Sequence, residues 1–294
     1  MFSGAITALV TPFRNGQLDA QRLRENVRFQ IAQGIKGLVP CGTTGESPTL
    51  SHTEHDHVIE LVVEAASASG GGKIPVIAGT GSNCTDEAVQ LTQHAKNAGA
   101  DATLQVNPYY NKPTQEGMYR HFMTIADLGL PVVLYNIPGR SGVALTPQTV
   151  ARLAKHEKIV AIKEATGSMD MASEIAQLCG DKITILSGDD SLTLPIMSLG
   201  GKGVISVLSN LVPAQVQSLA DAALRGDWAV ARDQHLKLFA LCKAMFIETN
   251  PIPVKTAMAL AGMDTGELRL PLCEMDPANH AKLEIALKQF KIIG

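Results

Sequence analysis

Lys163 closes the run Ile159-Val160-Ala161-Ile162-Lys163, in which four apolar residues lead up to an amine. If that run is an inner strand covered on both faces, the amine is partly desolvated. Desolvation disfavours the ammonium form, and only the neutral amine attacks a ketone to form an imine. A lysine there can equally snorkel from the rim of a fold to water, so position alone leaves both uses open. Of the four tyrosines in the chain, Tyr109, Tyr110 and Tyr135 fall at the ends of similar apolar runs. Imine formation needs a proton delivered to the carbinolamine oxygen and another removed from nitrogen. A tyrosine hydroxyl moves protons without adding charge to a dry site, although filling the mouth of the fold is its plainer use. Arg140 lies in the turn Pro138-Gly139-Arg140-Ser141-Gly142. Its planar fork suits a carboxylate or a phosphate, unless it is an ordinary surface arginine. Thr43 and Thr44, flanked by Gly42 and Gly45, offer two hydroxyls and open backbone N–H groups. They suit a small carboxylate, or only a tight strand-to-helix turn.

The elements that must carry these groups alternate. Strand-like apolar runs occupy residues 5–10, 37–40, 75–78, 102–106, 131–135, 159–163, 183–186 and 203–207, eight in all. Helical patterns lie between them. Asp19 is placed to cap a helix whose Leu23, Val27 and Ile31 share one face. Ser51 with Glu54 forms a capping box. Thr85 is placed to cap a helix ending near Gly99, Thr146-Pro147 opens another, and Ser168 and Gly180 bracket a further one. Eight strands alternating with helices predict an α/β fold with a parallel sheet, closed as a (β/α)₈ TIM barrel of about 250 residues or fewer. The expected division is a catalytic barrel over 1–225 and a small C-terminal helical domain over 226–294, broken at Asn250-Pro251-Ile252-Pro253. In such barrels active sites lie at the C-terminal ends of the strands. That end is where Thr43, Thr44, Tyr109, Tyr110, Tyr135, Arg140, Lys163 and Gly188 are expected, with Ile205 in the last strand.

Hydrophobic residues make up 45% of the 294, charged residues 18%, and the formal net charge is −3. That composition supports a large apolar core and gives no basic footprint for nucleic acid or an anionic membrane. No basic leader followed by an apolar run opens the sequence, and no apolar stretch is long enough to span a bilayer. The five cysteines are odd in number, widely spaced and without a Cys-x-x-Cys pair, as expected of reduced thiols in the cytoplasm.

Two other chemistries compete. The run His52-Thr53-Glu54-His55-Asp56-His57 is dense in metal-ligating types. It lies within a predicted helix, so His55 and His57 diverge and only His52 and His55 share a face; no metal site is expected. Gly200-Gly201-Lys202-Gly203 and Gly70-Gly71-Gly72-Lys73 invite a phosphate. Both precede strands and therefore lie on the wrong face of a barrel, and the second lacks P-loop spacing; turns are the expected reading.

Taken with their neighbours, these segments resemble the dihydrodipicolinate synthase/N-acetylneuraminate lyase superfamily. The likeness runs from Thr7-Ala8-Leu9-Val10-Thr11-Pro12-Phe13 through Gly42-Thr43-Thr44-Gly45-Glu46 and Lys163-Glu164-Ala165-Thr166-Gly167 to Asn250-Pro251-Ile252-Pro253-Val254-Lys255. Asn107-Pro108-Tyr109-Tyr110 and the arginine in Tyr135-Asn136-Ile137-Pro138-Gly139-Arg140-Ser141-Gly142 follow the synthase branch, whereas the sialic acid lyases lack that arginine. The resemblance implies a Schiff base between Lys163 and pyruvate, and a proton relay of Tyr135, Thr43 and Tyr110, the last entering a neighbouring subunit. It further implies that Thr43 and Thr44 hold the pyruvate carboxylate, that Arg140 holds L-aspartate-4-semialdehyde, and that Gly188 and Ile205 line the pocket. The product would be 4-hydroxy-tetrahydrodipicolinate on the diaminopimelate route to lysine. No redox or organic cofactor is implied, because the imine is itself the electron sink. A homotetramer built as a dimer of dimers is usual in the family. In lysine-inhibited members an interface cleft binds L-lysine, and here it would comprise Ser47, His52, His55, Asn83, Glu87 and Tyr109, with Pro48 a departure from the common alanine. The alternative within the superfamily is a class I aldolase cleaving a 2-keto-3-deoxy sugar acid or sialic acid.

Overall fold

The computed structural model describes residues 2–68 and 74–294; the Gly70-Gly71-Gly72-Lys73 run lies outside them. Eight parallel strands are β1 (Gly4–Ala8), β2 (Leu38–Val39), β3 (Ile77–Gly79), β4 (Ala102–Val106), β5 (Val132–Asn136), β6 (Ile159–Glu164), β7 (Thr184–Ser187) and β8 (Gly203–Ser206). They pair in the order β2-β1-β8-β7-β6-β5-β4-β3. A parallel bridge between Leu38 and Val76 joins the two ends of that order, and Gly79 N donates to Pro40 O at 2.9 Å. The sheet therefore closes on itself as a (β/α)₈ barrel.

The strands are continuous apolar runs because both their faces are covered. Ile6, Ala8, Val39, Ile77, Leu104, Val133, Ala161, Leu186 and Ile205 fill the interior. Their chain neighbours turn outward: Val132, Leu134, Ile162 and Ile185 pack with Met118, Phe122, Val150 and Ile175 on the surrounding helices. Those helices are α1 (Ala20–Ala32), α2 (His52–Ser67), α3 (Thr85–Ala98), α4 (Gln115–Ala126), α5 (Pro147–Leu153), α6 (Met169–Cys179), α7 (Thr193–Ser198) and α8 (Pro213–Leu224).

The expected caps of α1, α2, α5 and α6 are present: Asp19 accepts from Arg22 N, the Ser51/Glu54 box is complete, and Thr146 and Ser168 accept from Thr149 N and Met171 N. Gly99 closes α3 with φ 92°. The cap of α3 differs from the expectation. Thr85 is the first helical residue and Cys84 takes the cap position without a side-chain bond. The Thr85 hydroxyl is engaged by His121 Nδ1 at 3.0 Å, while Ser82 Oγ accepts from Cys84 N.

Beyond α8 come α9 (Trp228–Ala244), α10 (Ile252–Leu260) and α11 (Pro277–Gln289). Leu241, Met245, Val254, Met258, Leu283 and Leu287 from these helices share one apolar cluster with Leu23, Val27, Val58 and Val62 of α1 and α2. The C-terminal helices are thus welded to the barrel rather than tethered to it. None of the described helices is long and apolar enough to cross a membrane.

His121 on α4 is 5% exposed, and its Nε2 has no partner. Burial pushes its pKa down from 6.5 to about 4. The unfolded chain takes up a proton below about pH 6.5 that the folded chain refuses until about pH 4. His121 therefore favours folding above that window, and the advantage is lost as pH falls through it. Urea unfolding at pH 7 and pH 5 should show His121→Gln removing about 2 kcal/mol of the acid-induced loss of stability.

Candidate active site

Tyr135 and Lys163 are register partners on β5 and β6, so their side chains leave the sheet on the same face. Both belong to the barrel interior and each is 5% exposed. Lys163 Nζ lies 4.1 Å from the centroid of the Tyr135 ring. On the next strand crossover, a Cβ at Gly188 would stand 3.1 Å from Lys163 Cγ and 2.6 Å from Ala165 Cβ. Only glycine leaves the lysine stem its room. Ile205 is fully buried in the interior layer.

The residues that follow on the same strands point the other way. Asn136 and Glu164 are register partners and both are buried. Asn136 Nδ2 donates to Glu164 Oε2 at 3.4 Å and to Leu145 O at 3.2 Å, and its Oδ1 accepts from Leu145 N at 3.0 Å. Asn107 Nδ2 donates to the same Oδ1 at 2.9 Å. Glu164 Oε1 accepts from Thr166 N at 2.7 Å. Burial pushes the Glu164 carboxyl above its ordinary value, against the pull of the Thr166 and Asn136 hydrogen bonds. The bonds to Leu145 tie that residue back to the end of β5 and so close the segment 137–145, which contains the helical turn Pro138–Ser141 with Arg140. The sequence places Asn107 and Asn136 in two motifs but assigns neither a role. The available signal was a polar amide at the end of each of two apolar strands.

In the loop after β2, Thr44 is 2% exposed and its Oγ1 accepts from Asn250 Nδ2 at 3.0 Å. Its own hydroxyl hydrogen is left to donate. Arg140 Nη2 donates to Asn250 O at 3.0 Å. A cavity of about 420 Å³ opens at this end of the barrel, walled by Gly42, Thr43, Tyr135, Ile137, Arg140 and Ser141. The same cavity continues between Ser47, Pro48, His52, His55, Glu87 and Tyr109. Of the expected groups, Thr43, Tyr135 and Arg140 reach its wall, and so do Ser47, His52, His55, Glu87 and Tyr109. Lys163, Thr44, Gly188 and Ile205 are not on that wall; Lys163 meets it through Tyr135. Asn83 is also off the wall, its carbonyl accepting from Asn111 Nδ2 at 2.9 Å. Tyr110 is 90% exposed with φ 70° and is not on the wall of its own chain's cavity.

Within the cleft, Glu87 Oε1 meets His52 Nε2 at 2.9 Å, and Ser82 Oγ donates to the other oxygen. The Ser82 and His52 hydrogen bonds hold the Glu87 carboxyl below its ordinary value, so it is an anion. His55 is pushed the other way, toward its neutral form, chiefly by burial. Its Nε2–H donates to Gly79 O at 2.8 Å. His57 is turned to Glu60 at 3.7 Å and so diverges from His52 and His55, which share the cavity wall. Among the described residues no group of three His, Cys, Asp or Glu is placed to hold a metal ion. The glycines at the start of β8 are structural: a Cβ at Gly201 would fall 2.7 Å from Ile196 O and one at Gly203 1.9 Å from Gly4 O, at the end of the barrel away from the site.

A buried amine thus lies against a tyrosine ring at the C-terminal end of a barrel strand, the end at which barrel enzymes carry their active sites. The dihydrodipicolinate synthetase family model matches residues 1–290, and the chain belongs to that family. It is 58% identical, over all of both chains, to the 4-hydroxy-tetrahydrodipicolinate synthase of Citrifermentans bemidjiense. The chloride-inhibited dihydrodipicolinate synthase of Acinetobacter baumannii, solved with pyruvate, superposes with TM-score 0.96 at 42% identity over 100% of each chain. The enzyme from Cyanidioschyzon merolae, solved with lysine bound, gives TM-score 0.95 at 38% identity over 99% of each.

Gly188→Ala tests the close approach around Lys163. The new methyl must displace Ala165 or the lysine stem, and urea denaturation should show a loss of about 1–3 kcal/mol.

Proposed function

We infer that this chain is a lyase that condenses pyruvate with L-aspartate-4-semialdehyde to 4-hydroxy-tetrahydrodipicolinate, on the diaminopimelate route to L-lysine. Full-length identity of 58% to a synthase of that name supports the reaction, and the Lys163–Tyr135 pair supports its chemistry. Lys163 Nζ adds to C2 of pyruvate. The carbinolamine oxygen is protonated and leaves as water, giving the imine. Loss of a C3 proton gives the enamine, whose carbon attacks the aldehyde of the second substrate. The substrate's own amine then closes on the imine carbon and releases Lys163.

Tyr135, Thr43 and Tyr110 move the protons in this reading; Tyr110, exposed and off the wall of its own cavity, acts in a partner's site. Thr43 and Thr44 receive the pyruvate carboxylate, Arg140 the carboxylate of the semialdehyde, and Gly188 and Ile205 shape the floor. The catalytic unit is 1–225, the C-terminal helical unit 226–294, and the assembly a homotetramer, a dimer of dimers. All five cysteines are free, in keeping with a cytoplasmic enzyme. Arg140 on the cavity wall favours the synthase over an aldolase acting on sugar acids.

Borohydride reduction in the presence of pyruvate should add the mass of reduced pyruvate to the peptide bearing Lys163, and Lys163→Ala should abolish both adduct and turnover. Tyr135→Phe should lower kcat by about 100-fold or more. Arg140→Ala should raise KM for the semialdehyde and leave pyruvate trapping intact. An adduct without condensation would point instead to an aldolase.

A second reading concerns the cleft around Ser47, His52, His55, Asn83, Glu87 and Tyr109. The anionic Glu87 suits an ammonium group, and a family member is solved with lysine bound. L-Lysine should inhibit at millimolar concentrations or below, and Glu87→Gln should remove that inhibition; unchanged activity across such a titration refutes lysine regulation.

A further inference from the structure

Glu46 and Lys255 form an ion pair at 2.6 Å in which both side chains are 0% exposed. Lys255 Nζ also donates to Thr11 O at 2.9 Å and lies 4.4 Å from the Phe13 ring centroid. The second Glu46 oxygen accepts from Arg269 N at 3.1 Å. Taking two charges out of water is costly, and an apolar pair of similar volume would stabilise the fold at least as well. What an apolar pair would not do is fix a direction. Glu46 ends the loop 42–46 and is held in the left-handed region, with φ 52°, a conformation that a residue with a side chain keeps only when its surroundings impose it. The carboxylate clamped at both oxygens supplies that constraint, two residues from Thr44. Asn250, on the approach to the helix carrying Lys255, donates to the Thr44 hydroxyl and accepts from Arg140. One C-terminal segment therefore grips the loop at Thr44 and Glu46, and holds the arginine as well.

We propose that segment 250–255 positions the carboxylate-binding loop of the barrel, Lys255 through Glu46 and Asn250 through Thr44. Neither is a catalytic residue. The proposal rests on the reading of Thr43 and Thr44 as the pyruvate carboxylate site.

The test is borohydride trapping of pyruvate on the full-length protein across a pyruvate concentration series. The variants are Lys255→Met/Glu46→Gln, which removes both buried charges together, and Asn250→Ala, which leaves them in place. Melting temperatures are recorded alongside. Each variant that melts near the wild-type temperature should need about tenfold more pyruvate for half-maximal trapping, the effect of weakening one hydrogen bond to a charged group. The trapped maximum should stay at one adduct per chain, since Lys163 is untouched. A merely structural role would lower the melting temperature and the trapped maximum without moving the half-saturation point. If the double variant does not fold, Asn250→Ala decides alone. Half-saturation at the wild-type concentration in the folded variants overturns the positioning role. Absence of an adduct in the wild type overturns the Schiff-base reading itself, and this proposal with it.

Discussion

Neighbouring residues on a strand leave the sheet on opposite faces, and in a closed barrel each face is a different solvent-excluded environment. At the upper ends of β5 and β6 this alternation sends Tyr135 and Lys163 into the barrel and Asn136 and Glu164 out toward the helices. The inward pair places a tyrosine ring against an amine. The outward pair is bonded to Leu145 and Thr166 in the loops that follow. A one-residue slip would exchange the two sets, leaving amides facing the interior and the reactive groups packed against helices. Close packing guards against such a slip, since the Gly203–Gly4 and Gly188–Ala165 contacts leave no space for even a methyl group.

This constraint explains why the barrel was legible from the sequence. A strand covered on both faces reads as an unbroken apolar run, and eight such runs were visible with their intervening caps. The capping signals that lie within a few residues of chain, Ser51 with Glu54 or Thr146 with Pro147, were equally readable. The cap of α3 was misread because the decisive partner, His121, comes from another helix. The same limit applied at the site. Lys163 and Arg140 announced themselves by type and place, but the Asn107–Asn136–Glu164 network is assembled from three strands. No spacing within any one of them records it.

Tyr110 shows a different limit. Its 90% exposure and positive φ are costly for a large aromatic residue in an isolated chain, yet it follows Tyr109, which lines the cavity wall. Two adjacent tyrosines thus have different surroundings, one on the cavity wall and one in solvent, and nothing in the local spacing of the sequence separates them. The cavity passes from Thr43 and Arg140 to Ser47 and Glu87 without a break.

The C-terminal helices complete the picture from the opposite direction in sequence. Their apolar faces merge with α1 and α2 in one core, which by itself would account for their presence. Their segment also makes polar contacts to loop 42–46 and Arg140, alongside those to Thr11, Phe13, Gly16, Thr49 and Glu54, and apolar burial alone does not require them. Loops are the most mobile parts of a barrel, whereas any binding site must hold its donors steady to within a fraction of an ångström. Asn250 and Lys255, from more than 200 residues downstream, tie the loop to the core behind it, a tether that the short strand β2, only Leu38–Val39, does not supply from its own side.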